Sequence, residues 1–187
     1  MTVTMEGPTD AIAELPRLLP PRDGRPGGGQ SHDLRIHAER YGGLTYRDRP
    51  GVLIRDIEGS GLSGRGGAAF PAHRKLQAVL DAADKRRRTP VVIANGAESE
   101  PASDKDATLL WLSPHLVLDG LQLAAEAVGA DTAILYVHVN RAHDVGGRLK
   151  EAIAARQAAR VDRVPVQLAV APDRFLSGQE TALINHL

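Results

Sequence analysis

Apolar positions are sparse at the start of the chain and then fall into short runs whose spacing changes from helical to extended and back. Val52 to Glu58 places Leu53, Ile54 and Ile57 at i, i+1 and i+4, which predicts a short amphipathic helix. From Pro71 to about Arg86, Leu76, Val79, Leu80 and Ala83 share one helical face. Pro90 to Ala94 is a continuous apolar run of strand length, the pattern of a strand buried on both faces in a parallel sheet. A carboxylate-rich loop from Asn95 to Asp106 then leads through a short helical turn to Ser113-Pro114. A serine cap followed by proline at the first helical position predicts a helix to about Val128, stopped by Gly129. Thr132 to Val139 predicts a second buried strand, Ala142 to Arg160 a helix weakened by Gly146-Gly147, and Val164 to Val170 a third strand. Gly178 onward reads as the first turns of another helix, and no stop signal precedes Leu187, so the chain reads as ending inside an element. The alternation predicts an α/β fold with an open, mainly parallel sheet and flanking helices.

The first part of the chain does not fit this pattern. Pro16, Pro20, Pro21, Pro26 and Gly27-Gly28-Gly29 interrupt any regular element, so residues 1–35 are expected to form a disordered tail and residues 36–187 one α/β domain. Apolar residues make up 42% of the 187, enough for a core in a domain of this size. Basic and acidic residues both number 23, and this zero net charge argues against a general nucleic-acid binder, which needs a basic face. The run Lys85-Arg86-Arg87-Arg88 does not change that: no aromatic residues interleave it, and the dipole at a helix C-terminus accounts for cations there. With no cysteine, this chain supplies neither disulfides nor the thiolates of an iron–sulfur cluster. The seven histidines are scattered without metal-binding spacing, His115 reads as a helix-start residue, and Trp111 reads as core. No stretch approaches the ~20 apolar residues that span a bilayer, and the N-terminus lacks a secretory pattern. The expected location is therefore cytoplasmic, without direct membrane insertion and compatible with a place at the periphery of a membrane complex.

Three junctions carry candidate chemistry. Five glycines fall within Gly59 to Gly67, directly before a predicted helix. Such a loop lets backbone approach a ligand closely and aims N–H groups at an anion, with Arg65 and Lys75 adding positive charge. Gly64 to Ala69 formally satisfies G-x-G-x-x-A, yet the run before it is helical rather than extended, and no Gly-Lys-Ser/Thr makes it a P-loop. A flexible inter-helix connection would use the same residues. Asn95 to Pro101 follows the first strand, at the carboxyl end where open α/β sheets bind ligands. Glu98 and Glu100 suit ribose hydroxyls and Asn95 can both donate and accept, although a solvated acidic turn has the same composition. Phe175 to Thr181 is a further strand-to-helix junction with a glycine and a carboxylate.

Together these loops resemble the family of flavin- and NADH-binding 51-kDa (F-type) subunits of respiratory complex I and its relatives in soluble hydrogenases and formate dehydrogenases. That family's Gly-Arg-Gly-Gly-Ala-Gly-Phe-Pro stands here as Gly64-Arg65-Gly66-Gly67-Ala68-Ala69-Phe70-Pro71, with Lys75 following. Its Asn-Ala-Asp-Glu-Gly-Glu-Pro stands as Asn95 to Pro101, followed by Lys105-Asp106, and Pro114-His115 with its helix also matches. Its Cys-Gly-Glu-Glu-Thr-Ala-Leu stands as Ser177-Gly178-Gln179-Glu180-Thr181-Ala182-Leu183. The similarity covers roughly residues 40 to 187.

The resemblance implies FMN and NADH (or NAD) as cofactors, in a domain distantly like a Rossmann fold. Hydride would pass directly from nicotinamide to flavin, with no catalytic side chain and the protein supplying placement and electronics. Gly64, Arg65, Gly66, Gly67 and Ala68 would form the backbone cradle, and Phe70 would pack beside NADH. Lys75 and Asn95 would contact FMN, while Glu98, Glu100 and Glu180, the last beside Gly178, would serve flavin and nucleotide polar groups. The departures are also specific. Ala97 replaces the motif aspartate, Gln179 the first glutamate of the pair, and Phe175 the usual tyrosine, while Ala78 stands where an adenine-stacking aromatic is expected. The family's remaining FMN loop, its ubiquitin-like domain and its iron–sulfur domain lie beyond residue 187, so this chain would hold no cluster. The expected function is an NADH-dehydrogenase-type flavoprotein module, an NADH:acceptor oxidoreductase (quinone or ferredoxin-like) once completed by the missing parts. A protein partner or further C-terminal region would carry the iron–sulfur cluster. The alternative is a non-catalytic accessory or remnant subunit that keeps the fold without flavin chemistry of its own.

Overall fold

The computed structural model describes residue 18 and residues 33–64, 68–98, 103–138, 144–171 and 183–184. In chain order the elements are α1 (Leu34–Tyr41), α2 (Val52–Ser60), α3 (Ala72–Arg86), β1 (Val91–Gly96), α4 (Lys105–Leu112), α5 (Pro114–Val128), β2 (Thr132–His138), α6 (Val145–Ala159) and β3 (Val166–Ala171). The three strands form one parallel sheet in the order β1-β2-β3, with Val91 opposite Thr132 and Ala133 opposite Val166.

Strand alternation divides the apolar side chains between two faces. Val92 and Ala94 of β1, Ala133, Leu135 and Val137 of β2, and Val166 and Leu168 of β3 turn to one face. There they meet Leu110 of α4, Leu118 and Leu121 of α5, and Val145, Leu149, Ala152 and Ile153 of α6. Parallel neighbours in sequential order whose crossovers share one hand place their connecting helices on the same side, and α4, α5 and α6 all pack on this face. The other face carries Ile93, Tyr136, Ala169 and Ala171, packed with Ala97 and Leu183.

The expected strands are present, with one correction. The apolar run of β1 suggested burial on both faces, but Val91 is 52% exposed and Asn95 is exposed, because among the described residues β1 pairs on one side only. The central β2 is the strand whose burial matches its composition. An apolar run reports strand length but not strand position.

Two helix starts differ from their expected chemistry. Ser113 precedes α5, yet its side chain makes no capping bond. Its hydroxyl instead donates to the carbonyl of Leu18 at 2.7 Å, which fastens residue 18 to the start of α5. The glycines of α6 fall in its first turn, where Asp144 Oδ1 accepts from Gly147 N at 2.8 Å. A Cβ on Gly147 would lie 2.2 Å from Asp144 Oδ2, so a larger residue there would require the Asp144 side chain to shift.

The segment before α2 is held by distant partners. His37, buried on α1, lies with Nε2 2.7 Å from Asp119 Oδ2 on α5. Asp119 also pairs with Arg156 of α6 at 2.8 Å, and Arg156 pairs with Asp162 at 2.7 Å. The Tyr46 hydroxyl donates to the Val161 carbonyl at 3.2 Å, Arg163 pairs with Asp48, and Glu126 Oε1 accepts the amides of Arg47 and Asp48. Buried Gln122 ties α5 to the start of β3 by donating to Val164 O at 2.7 Å and accepting from the amides of Arg163 and Val164.

Candidate functional site

The glycine loop is closed at its foot. Ser63 and Pro71 form an antiparallel bridge, Gly64 N donates to Phe70 O at 2.9 Å, and Ala72 N donates to Leu62 O at 2.9 Å. These bonds bring the two ends of the loop together directly before the first turn of α3. The amide of Gly64 is therefore used within the protein. Gly64 and Ala68 are exposed, whereas Arg65, Gly66 and Gly67 lie outside the described residues.

Ala69 has φ 44°, in the left-handed region. The motif that this loop resembles has glycine at this position, and the backbone gives the reason: only glycine enters that region without Cβ strain. Replacing Ala69 with glycine is expected to raise stability by roughly 0.5–1 kcal/mol, less than the full strain because glycine also loosens the unfolded chain. A denaturant titration of Ala69→Gly against the parent chain checks this.

Phe70 and Lys75 sit side by side at this foot. Phe70 is 44% exposed, and Lys75 Nζ lies 5.9 Å from the centre of its ring. An exposed aromatic face next to an exposed ammonium offers a stacking surface and a cation to the same ligand. No carboxylate lies within ion-pair distance of Lys75 among the described residues.

The second group lies at the carboxyl end of β1. Asn95 Oδ1 accepts from the Ala97 amide at 3.2 Å, an Asx turn that folds the chain over the strand end. Gly96 permits the close packing beneath, since a Cβ there would lie 2.9 Å from Leu110 Cδ1. Glu98 is mostly buried and its Oε2 is held by Lys105 and by the Ser103 hydroxyl, the latter at 3.0 Å. The Glu98 bond pushes the Lys105 ammonium above its usual range. Burial raises the Asp106 carboxyl, the Lys105 bond opposes this, and the charge of Glu98 adds to it. Sequence reasoning matched Lys105 but missed its task and that of Ser103. The available signal was a cation in the first turn of α4, where an acidic residue is preferred and a lysine points to a local partner.

Ala97, where the family motif has aspartate, is 5% exposed and packs with Tyr136, Ala171 and Leu183. It offers no polar atom from its side chain. Glu100, Gly178, Gln179 and Glu180 lie outside the described residues, as does Phe175. The structure thus gives the expected site residues as two groups: Gly64, Ala68, Phe70 and Lys75 at the foot of α3, and Asn95 and Glu98 at the end of β1.

Comparison with known proteins points the same way. The family described as the Nuo51 FMN-binding domain matches residues 57–187. The F-type subunit of the NADH-quinone oxidoreductase of Rickettsia akari is 30% identical over 173 residues, covering 86% of this chain and 40% of the relative. The C-type subunit of the ion-translocating oxidoreductase complex of Vibrio cholerae is 33% identical over 138 residues, covering 74% of this chain and 16% of the relative. The crystal structure of an NAD+-reducing [NiFe]-hydrogenase in the H2-reduced state superposes with a TM-score of 0.60 at 31% identity, over 73% of this chain and 24% of that one. The chain therefore spans no more than 40% of the length of these relatives.

Proposed function

The chain belongs to the Nuo51 FMN-binding domain family, and from that premise we propose that it is the flavin-holding part of an NADH-dehydrogenase-type oxidoreductase. FMN, when bound, supplies the hydride-accepting chemistry; the share of this chain is placement and electrostatics. The donor set suits such a group. Lys75 presents a cation, Phe70 a ring face, and Asn95 an amide at the carboxyl end of a parallel strand, where open α/β sheets take their ligands. Glu98, fixed by Lys105 and Ser103, holds a negative charge beside the same strand end. Arg65, Gly66, Gly67, Glu100, Gly178 and Glu180 complete the proposed site by their place in the motifs.

The observation that carries this reading is the closed foot of the glycine loop, with an exposed Phe70 and Lys75 beside it. NADH would deliver hydride on the Phe70 side, and a partner chain or further region carrying an iron–sulfur cluster would take the electrons onward to a quinone or ferredoxin-like acceptor. No helix among the described residues is long and apolar enough to cross a membrane, in keeping with a peripheral place in such a complex.

The test is a fluorescence-quench titration of the purified chain with FMN. Saturable quenching at micromolar or tighter affinity is expected, with bleaching of the flavin when NADH is added. Lys75→Ala should weaken FMN by about tenfold or more, the loss of one charge-assisted contact, while leaving the melting temperature in place because Lys75 is exposed. Absence of quenching in a folded sample would favour the accessory-subunit reading instead.

A further inference from the structure

A groove of about 540 Å³ lies between the end of α3, the start of β1 and the end of α5, at the opposite end of β1 from Asn95 and Glu98. Pro90 directly precedes β1, and Val128 and Gly129 close α5 just before β2, so the groove lies at the amino ends of these two strands. Pro90 of the groove and Asn95 lie five residues apart along β1, about 17 Å at the rise of an extended strand. We propose that this groove binds a nucleoside monophosphate, at a site separate from the flavin and NADH positions.

Three kinds of chemistry line the same space. Pro50, Leu80 and Val128 are among its apolar lining residues, Asp84 is its acidic one, and Arg87 and Arg88 are its basic ones. An apolar wall suits the face of a base, a carboxylate suits a ribose diol, and paired guanidiniums suit phosphate. The volume falls within the range of small-ligand clefts, about 300–1,000 Å³.

The backbone explains why the two arginines are available. Arg87 is the C-cap of α3 with φ 51°, a left-handed turn at a position that glycine usually fills. The Arg87 amide donates to Asp84 O and the Arg88 amide to Ala83 O, so both residues have left the helix while staying tied to its last turn. Lys85 and Arg86 end the helix, and Arg87 and Arg88 follow it and line the groove. Arg35, Arg47 and Arg163 have carboxylate partners, whereas among the described residues none lies within ion-pair distance of Arg87 or Arg88. Asp84 in the same lining disfavours an acidic peptide, which would place its carboxylates against it.

Amide chemical shifts of the full chain, labelled with nitrogen-15, locate binding directly. AMP is expected to shift Thr89 and Gly129, which line the groove, in a saturable way, with adenosine and inorganic phosphate each binding at least about tenfold more weakly. The double variant Arg87→Gln with Arg88→Gln should lose the AMP response while its FMN quenching stays unchanged. Arg88→Gln alone, beyond the helix, should lose part of it without affecting folding. The proposal is overturned if AMP leaves Thr89 and Gly129 unmoved or if the response survives the double variant. It also falls if phosphate alone binds as well as AMP, or if an oligoglutamate peptide binds more tightly than AMP. Because FMN quenching reports the other site, failure here and failure of the flavin reading are separately visible.

Discussion

Replacing Arg156 with alanine lowers the stability of the chain by about 3–5 kcal/mol, the usual effect of removing one partner from a buried ion pair. Arg156 is 1% exposed and lies between two carboxylates, 2.8 Å from Asp119 and 2.7 Å from Asp162. Burial alone would lower the pKa of the guanidinium, but its bonds to Asp162 and Asp119 outweigh burial and hold it above the usual range. Without it, two largely buried carboxylates face each other with His37 as the remaining nearby partner of Asp119. Since α1 is held to α5 through that same carboxylate, the loss extends from α6 to the start of the domain. A urea titration followed by far-ultraviolet circular dichroism measures it. A change below about 1 kcal/mol, the value of an exposed pair, would mean that water reaches the network.

The second large effect joins stability to the site. Replacing Ala97 with aspartate restores the residue of the family motif but places a carboxylate among Tyr136, Ala171 and Leu183. In the free chain this should cost about 3 kcal/mol, because it takes a charge into an apolar cluster. If the flavin reading holds, FMN supplies hydrogen-bonding groups to that carboxylate. Added FMN should then raise the melting temperature of Ala97→Asp by more than that of the parent chain, since a ligand stabilises according to its affinity for the folded state. Thermal unfolding of both proteins, with and without FMN, decides the matter: equal shifts would show that position 97 does not face the flavin.

The sequence revealed what depends on neighbours along the chain. The strands followed from apolar runs, and the foot of α3 with Phe70 and Lys75 followed from a glycine loop running into a helical face. What it left out depends on partners far away. Helix α1 was missed because its one buried side chain is a histidine, although Asp33 capping the amides of Arg35 and Ile36 and Gly42 at its end were legible start and stop signals. Ser113 stood at the expected cap position, but its partner is 95 residues away. The network of His37, Asp119, Arg156 and Asp162 joins residues of α1, α5 and α6 that no local spacing relates. In the site, Ala69 stands against a glycine in the quoted motif, but the left-handed backbone that gives the difference meaning was not legible.

The sheet order has a consequence for how the molecule is made. Each strand pairs with the one synthesised just before it, so the sheet can grow in step with the ribosome as each crossover helix emerges. The stretch from α1 to Asp48 follows the opposite schedule. Its fastenings on Asp119, Val161 and Arg163 are translated long after it, and closing loops of that length carries an entropic penalty that an assembled sheet offsets. This stretch is thus fastened only once residues translated after it are in place.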